Sequence, residues 1–201
     1  LSRRQRQMCI RDRIYIRYSD GSLQKGNGNG WGVFLIEDNF VEKTFLATDK
    51  RRTELIHKDI YDQTGKLVTP SPVRGYFSAK YVDPDFIGER TSARPFLIRY
   101  SDIALVFAEA AGPDEGLALV NEIRRRAGIP ELPEGMSLAE FRKAVIQERA
   151  LELAFEGNRL YDLRRTASVT ATVPEATKLS EEQAAFYPIP QRELDLNPNV
   201  K

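Results

Sequence analysis

The sequence predicts a mainly α-helical chain with long loops and a few short strands, and three observations carry that expectation. Apolar residues recur at a period of 3.6 only from Phe96 onward. Glycines and prolines then punctuate that stretch where helices would stop and start. Upstream, apolar runs are short and separated by turn residues. The chain accordingly divides into an arm over 1–13, a loop-rich region with short strands over 14–95, and a helical region over 96–201.

In the helical region, Leu97, Tyr100, Ala104, Phe107, Ala108 and Ala111 predict a helix over about 96–111. Gly112 would end it and Pro113 begin the next, making a hairpin with almost no loop. Leu117, Val120, Ile123 and Ala127 mark the apolar side of that second helix. Asp114 and Glu115 in its first turn and Arg124-Arg125-Arg126 in its last complement the helix dipole, and Gly128 terminates it. A third helix opens on a Ser137-x-x-Glu140 capping box, with Met136 and Phe141 placed as a hydrophobic staple. It should run to Phe155 or Glu156 and stop at Gly157, with a short fourth helix over 159–165. Residues 166–186 read as polar and irregular, and 192–196 as a single helical turn.

Before Phe96 the signals are sparser. Ile14 to Tyr18 and Tyr76 to Tyr81 have the β-branched and aromatic content of short strands. Gly26-Asn27-Gly28-Asn29-Gly30 predicts a surface loop, since it lacks the Lys-Ser/Thr ending of a phosphate-cradling loop. Asn39 to Ala47 holds enough for a turn of helix.

Composition excludes several function classes. Thirty basic and 29 acidic residues leave a net charge of +1, so no global field draws nucleic acid or an anionic membrane. A single cysteine, Cys9, rules out an internal disulfide and a thiolate-cluster metal site. With one histidine, His57, zinc and facial-triad sites are disfavoured, and that histidine reads as exposed or on a loop. No apolar run reaches the roughly 18 residues of a membrane span. The run over residues 2–13 resembles translated sequencing-adapter sequence more than a basic recognition arm. A start at Leu1 and an end at Asn197-Pro198-Asn199-Val200-Lys201 read as those of a fragment.

The densest chemistry lies in Glu148-Arg149-Ala150-Leu151-Glu152-Leu153-Ala154-Phe155-Glu156-Gly157 and the Arg159–Arg165 segment after it. Glu148, Glu152 and Glu156 fall on one stripe at i, i+4 and i+8, beside Val145, Leu151 and Phe155. Two carboxylates invite a glycosidase reading, but such an enzyme flanks the scissile bond from two directions. Neighbours on one helix, about 5–6 Å apart at Cβ, point the same way. The structural alternative pairs the glutamates with Arg99, Arg149, Arg159, Arg164 or Arg165, because a buried charge without a partner is costly. Glu148, Glu152, Glu156, Arg159, Asp162 and Arg164 are therefore read as a structural charge network. Among aromatics that could stack on a sugar ring, Trp31 in Gly30-Trp31-Gly32 is the leading candidate, ahead of Tyr76, Phe77, Tyr81 and Phe86.

Several segments, in order, resemble the SusD/RagB family. Arg99-Tyr100-Ser101-Asp102 through Ala108-Glu109-Ala110 resembles its Arg-Tyr-x-Asp…Tyr-Ala-Glu-Ala helix, and Val120 to Gly128 the helix that follows. Glu148-Arg149 through Leu163-Arg164-Arg165 is similar to its Glu-Arg…Glu-Leu-Ala-Phe-Glu-Gly block. Tyr187-Pro188-Ile189-Pro190 through Asn197-Pro198-Asn199 is similar to its Pro-Ile-Pro…Asn-Pro-Asn ending. Gly30-Trp31-Gly32 and Asp49-Lys50-Arg51-Arg52 resemble upstream landmarks, with Lys50 where the family usually has proline. Asn158 and Leu160 depart from the usual residues at their positions.

The resemblance implies a tetratricopeptide-like helical scaffold supporting a loop-built binding region. It also implies a surface-exposed outer-membrane lipoprotein that captures nutrients, usually glycans, above a TonB-dependent transporter barrel. On that reading the protein is no enzyme, needs no cofactor, and meets the membrane only through a lipid anchor absent from this sequence. A helical-repeat scaffold for protein partners is the alternative, with a carboxylate glycosidase behind it.

Overall fold

The computed structural model of the protein describes residues 15–26, 35–69, 71, 73, 75–83, 85, 91–186, 189–197 and 199. Trp31, the 1–13 arm, Phe86 and Tyr187-Pro188 lie outside them. The chain forms two compact units, with the boundary between Phe155 and Glu156.

The first unit is mainly helical. Strands β1 (Tyr15–Arg17) and β2 (Leu23–Lys25) pair antiparallel, Ile16 opposite Gln24. Helices α1 (Asp38–Thr44) and α2 (Lys50–Leu55) follow, and then β3 (Ile56–His57) pairs antiparallel with β4 (Phe77–Ser78). Three longer helices complete the unit: α3 (Tyr100–Ala111), α4 (Pro113–Ala127) and α5 (Leu138–Glu152). The hairpin between α3 and α4 turns on Gly112 alone, whose φ of 87° a residue with a Cβ would adopt only with strain. Close approach is built in at Gly116, where a Cβ would sit 2.7 Å from the Ala108 Cα. Gly128, at φ 74°, closes α4 by donating its N–H back to Arg124 and Arg125 carbonyls. The capping box forms as expected: Ser137 accepts from the Glu140 N–H and Glu140 accepts from Ser137.

Two apolar clusters hold this unit. One joins Ala104, Leu105 and Ala108 of α3, Val120 and Ile123 of α4, and Phe141 and Val145 of α5, with Met136 packed against it. The other joins Val41, Phe45 and Ile56 to Ala127, Ile129 and Leu151. The loop-rich upstream segment is thus packed onto the helices by shared core. Complete burial of one such large apolar side chain contributes about 1.5–3 kcal/mol.

Within this unit, sequence and structure part at three places. Helix α3 begins at Tyr100, not near 96, because Arg99 is extended at φ −143° and ψ 163°. Helix α5 stops at Glu152, and Phe155 adopts φ 67° in the turn beyond it. His57, expected at the surface, is buried in β3 between the rings of Tyr18 and Phe77, with Nε2 3.0 Å from the Glu54 carbonyl. Burial pushes its pKa down against the opposing pull of Glu54.

The second unit holds α6 (Arg159–Arg165), α7 (Val169–Thr172), a 3₁₀ turn (Pro174–Lys178), α8 (Glu181–Ala185) and α9 (Gln191–Leu196). Residues 166–186 are therefore largely helical, against the irregular reading. Leu163, Val169, Ala176 and Ala184 form their core. A second capping box, Ser180 with Gln183, starts α8. Small side chains and helices of one or two turns leave no periodic stripe for a sequence window to detect.

Candidate functional site

Helix α5 turns three charged residues inward. Phe141, Val145, Glu148, Arg149 and Glu152 share its buried side, and Glu148 is 0 % exposed. What makes this tolerable is a set of four guanidiniums delivered from three other places. Asp49 caps α2 by accepting the Arg51 N–H, and also binds the Arg51 side chain through both oxygens, at 2.9 and 2.7 Å. Arg51 then reaches Glu148 at 2.6 Å and Glu152 at 3.2 Å. The other Glu148 oxygen accepts from Arg124 of α4 at 2.7 Å. Glu152 accepts from Arg99 at 2.7 Å and from Arg126. Arg149, on the same helix, bonds Asp102 of α3 at 2.8 Å.

The backbone at the end of α5 is held by Arg99 and by a further cation, Lys80. Arg99 donates to the Glu152 carbonyl at 2.6 Å, and the Lys80 ammonium to the Glu152 and Ala154 carbonyls, each at 3.1 Å. These bonds supply the acceptors' partners that a helix C-terminus otherwise lacks. The cluster thereby joins α2, α3, α4, α5 and the turn after it.

The electrostatics favour permanent charge. Burial alone would raise the Glu152 pKa, but hydrogen bonds and attraction from Arg99 and Arg126 outweigh it and hold the group at about 2. Burial would lower that of Arg51, yet Asp49 and Glu148 drive it upward. A carboxylate ionised throughout the neutral range, with both oxygens engaged, has no proton to give as a general acid near pH 7. The arrangement is suited to locking elements together. Among the described residues, no three His, Cys, Asp or Glu side chains gather to hold a metal ion.

A second acidic centre pins a loop. Asp83 accepts from the Asp85 N–H, the Thr91 hydroxyl, and the N–H and hydroxyl of Ser92, which hold its pKa at about 2. The aromatic candidates are dispersed. Lys58 sits 4.7 Å above the Tyr76 ring, Phe77 leans on His57, and Tyr81 lies 6.0 Å from Phe96. Trp31 lies outside the described residues.

Of the six residues read as a charge network, the structure brings Glu148 and Glu152 into one cluster. Asp162 belongs to the second unit, where it accepts from Arg165 at 2.8 Å. Glu156, Arg159 and Arg164 also lie in that unit, and there burial lowers the Arg159 pKa despite nearby Asp162. Sequence reasoning missed Arg51, Arg124 and Arg126 as partners. The landmark Asp49-Lys50-Arg51-Arg52 pointed at the first. The arginines of α4 were accounted for by the helix dipole alone.

Comparison with known proteins agrees with this architecture. The sequence profile of the SusD family matches residues 60–201. SusD-like protein P2 of Formosa agariphila is 36% identical over 162 residues, covering 69% of this chain and 32% of its own length. SusD-like protein P38 of the same organism is 31% identical over 117 residues, covering 52% of this chain and 23% of its own length. The crystal structure of a SusD homolog from Bacteroides thetaiotaomicron superposes with a TM-score of 0.57 at 28% identity, over 74% of this chain and 39% of that one. A SusD superfamily protein from Bacteroides vulgatus shares the fold, with a TM-score of 0.51 at 22% identity over 94% of this chain and 37% of that one. The chain thus spans about a third or less of the curated relatives it matches. With its profile matched from residue 60 to the end, the protein belongs to the SusD family.

Proposed function

We propose that the protein is a non-catalytic binding component of an outer-membrane nutrient-uptake system, with an oligosaccharide as its nutrient. It would work beside a TonB-dependent transporter barrel at the cell surface, anchored by a lipid outside this sequence. Family membership over residues 60–201 is the observation that carries the reading. The saturated state of Glu148 and Glu152 supports the non-catalytic part, since acid–base work on a glycosidic bond needs a carboxyl that exchanges its proton.

On this reading Glu148 and Glu152 in the first unit are architecture, as are Glu156, Arg159, Asp162 and Arg164 in the second. Ligand contact belongs to the loops, with Trp31 as the stacking residue. No helix among the described residues is long and apolar enough to cross a membrane, and the proposal requires none.

Titration calorimetry against a polysaccharide panel, with product analysis of each mixture, tests the proposal. Saturable binding of one glycan class without turnover, weakened by Trp31→Ala, is the expected result. Hydrolysis abolished by Glu148→Gln with the fold intact would instead establish a glycosidase. Capture of a defined protein with no sugar affinity would establish a scaffold. Co-purification with a transporter barrel encoded beside the gene tests the partnership separately.

A further inference from the structure

Two cations at the end of α5 hold the two ends of one loop together. Lys80 donates to the Glu152 and Ala154 carbonyls, and Arg99 to the Glu152 carbonyl and carboxylate. The chain between these anchors is crosslinked twice more. Asp83 accepts from Thr91 and Ser92, and the Tyr81 ring meets the Phe96 ring at a centroid distance of 6.0 Å and an angle of 41°. Surface loops with their ends drawn together in this way often carry function, because a rigid scaffold positions their side chains. Other aromatic rings of the first unit are already occupied. Arg17 lies 4.2 Å from the Tyr61 ring centre, Lys58 4.7 Å from that of Tyr76, and Phe77 leans on the buried His57. Arg99 stands farther from Phe96, at 6.0 Å, the outer limit of a cation–π contact. Phe96 remains 49% exposed, beside the half-buried Tyr81.

We infer that Tyr81 and Phe96 form a stacking platform for one pyranose ring of a bound oligosaccharide, a subsite in addition to Trp31. The inference rests on the glycan-binding reading and adds to it a place where sugar is held. Rings 6.0 Å apart are in mutual contact, so they make one continuous apolar surface and not a slot. The C–H face of a pyranose covers such a surface while its hydroxyls reach the rim. Thr91, Ser92 and Arg94 are exposed along the same loop and carry the polar groups that a sugar site places around its apolar floor. Pro95 biases Arg94 towards extended backbone, which sets the side chains of Arg94 and Phe96 on the same side of the chain. Because Lys80 and Arg99 order the loop before any ligand arrives, binding does not bear that entropic cost.

Titration calorimetry on the full-length protein tests it, with hexasaccharides of glucose, xylose, mannose and galactose as probes. Phe96→Leu keeps apolar bulk and removes the ring, whereas Phe96→Trp keeps a ring. The leucine variant is expected to bind about 5- to 30-fold more weakly, the factor that loss of one aromatic anchor costs, and the tryptophan variant to retain affinity. Thermal midpoints of both should match the wild type, and Tyr81→Leu should weaken binding in the same direction. Phe96→Trp in a Trp31→Phe background gives a second readout, an indole emission that shifts as sugar is titrated to saturation. Equal affinity of wild type and Phe96→Leu, or an emission indifferent to sugar, would overturn the inference while leaving the glycan-binding reading in place. Equal loss in Phe96→Leu and Phe96→Trp would overturn it in favour of a packing role. A wild type that binds none of the probes would overturn both readings together.

Discussion

The interior beside α5 and the outer side of α3 invert the usual distribution of polarity. Inside, Glu148, Glu152 and Arg51 are packed out of water; outside, Ile103, Val106 and Phe107 face it. The two inversions have different physical resolutions. Buried charge is stabilised by partners already present, since every oxygen of Glu148 and Glu152 accepts from a guanidinium. Exposed apolar surface has no such internal remedy. The first region reports how this chain holds itself together, and the second where it leaves apolar surface in water.

The comparison is most severely tested at Glu148. Replacing it with alanine takes from Arg124 its carboxylate partner and from Arg51 one of three, in a desolvated corner, so unfolding in urea should show a loss of about 3–5 kcal/mol. A loss below 1 kcal/mol would mean that water reaches the corner. Acid probes the same region without mutation. The Glu152 pKa is about 2 in the folded state against 4.5 as its ordinary value, so the unfolded chain binds the proton more tightly. Stability from this group is therefore complete above about pH 4.5 and is lost as pH falls towards 2. The fall amounts to roughly 3 kcal/mol by linkage. Urea midpoints measured from pH 6 to pH 2 should drop across that window, and Glu152→Gln should flatten the drop.

Substitutions on the two sides of α3 sharpen the contrast. Gly116→Ala directs a methyl into the Ala108 backbone and should cost about 1–3 kcal/mol by overpacking, read from thermal denaturation. On the outer side, Ile103→Ser with Phe107→Ser in this 201-residue chain should change stability by less than about 0.5 kcal/mol per site while reducing binding of an apolar dye. A large loss there would show that the face is already covered.

Much of the helical region was legible because its signals are local. Gly112 and Pro113, Gly128, and Ser137 with Glu140 each act within one turn of chain, and the helices of the first unit end and begin where these residues stand. The α5 terminus was misjudged because Arg99 and Lys80, from outside the helix, bind its last carbonyls. The burial of His57 depended on β3 meeting β4 and on the ring of Tyr18, contacts that no window around residue 57 contains. The stripe of Glu148 and Glu152 was recognisable as needing cations, and Arg99, among the arginines it suggests, does bind Glu152. Arg51, 97 residues away from Glu148, supplies the central one.

By itself, then, the sequence determined the helix hairpin, the capping box, the family and the presence of buried charge, because each rests on backbone chemistry or residue pattern within a short span. Tertiary structure alone decided which guanidinium answers which carboxylate, and which side of α3 remains uncovered. Both depend on elements brought together from distant parts of the chain, where a side chain's partner is set by packing and not by spacing.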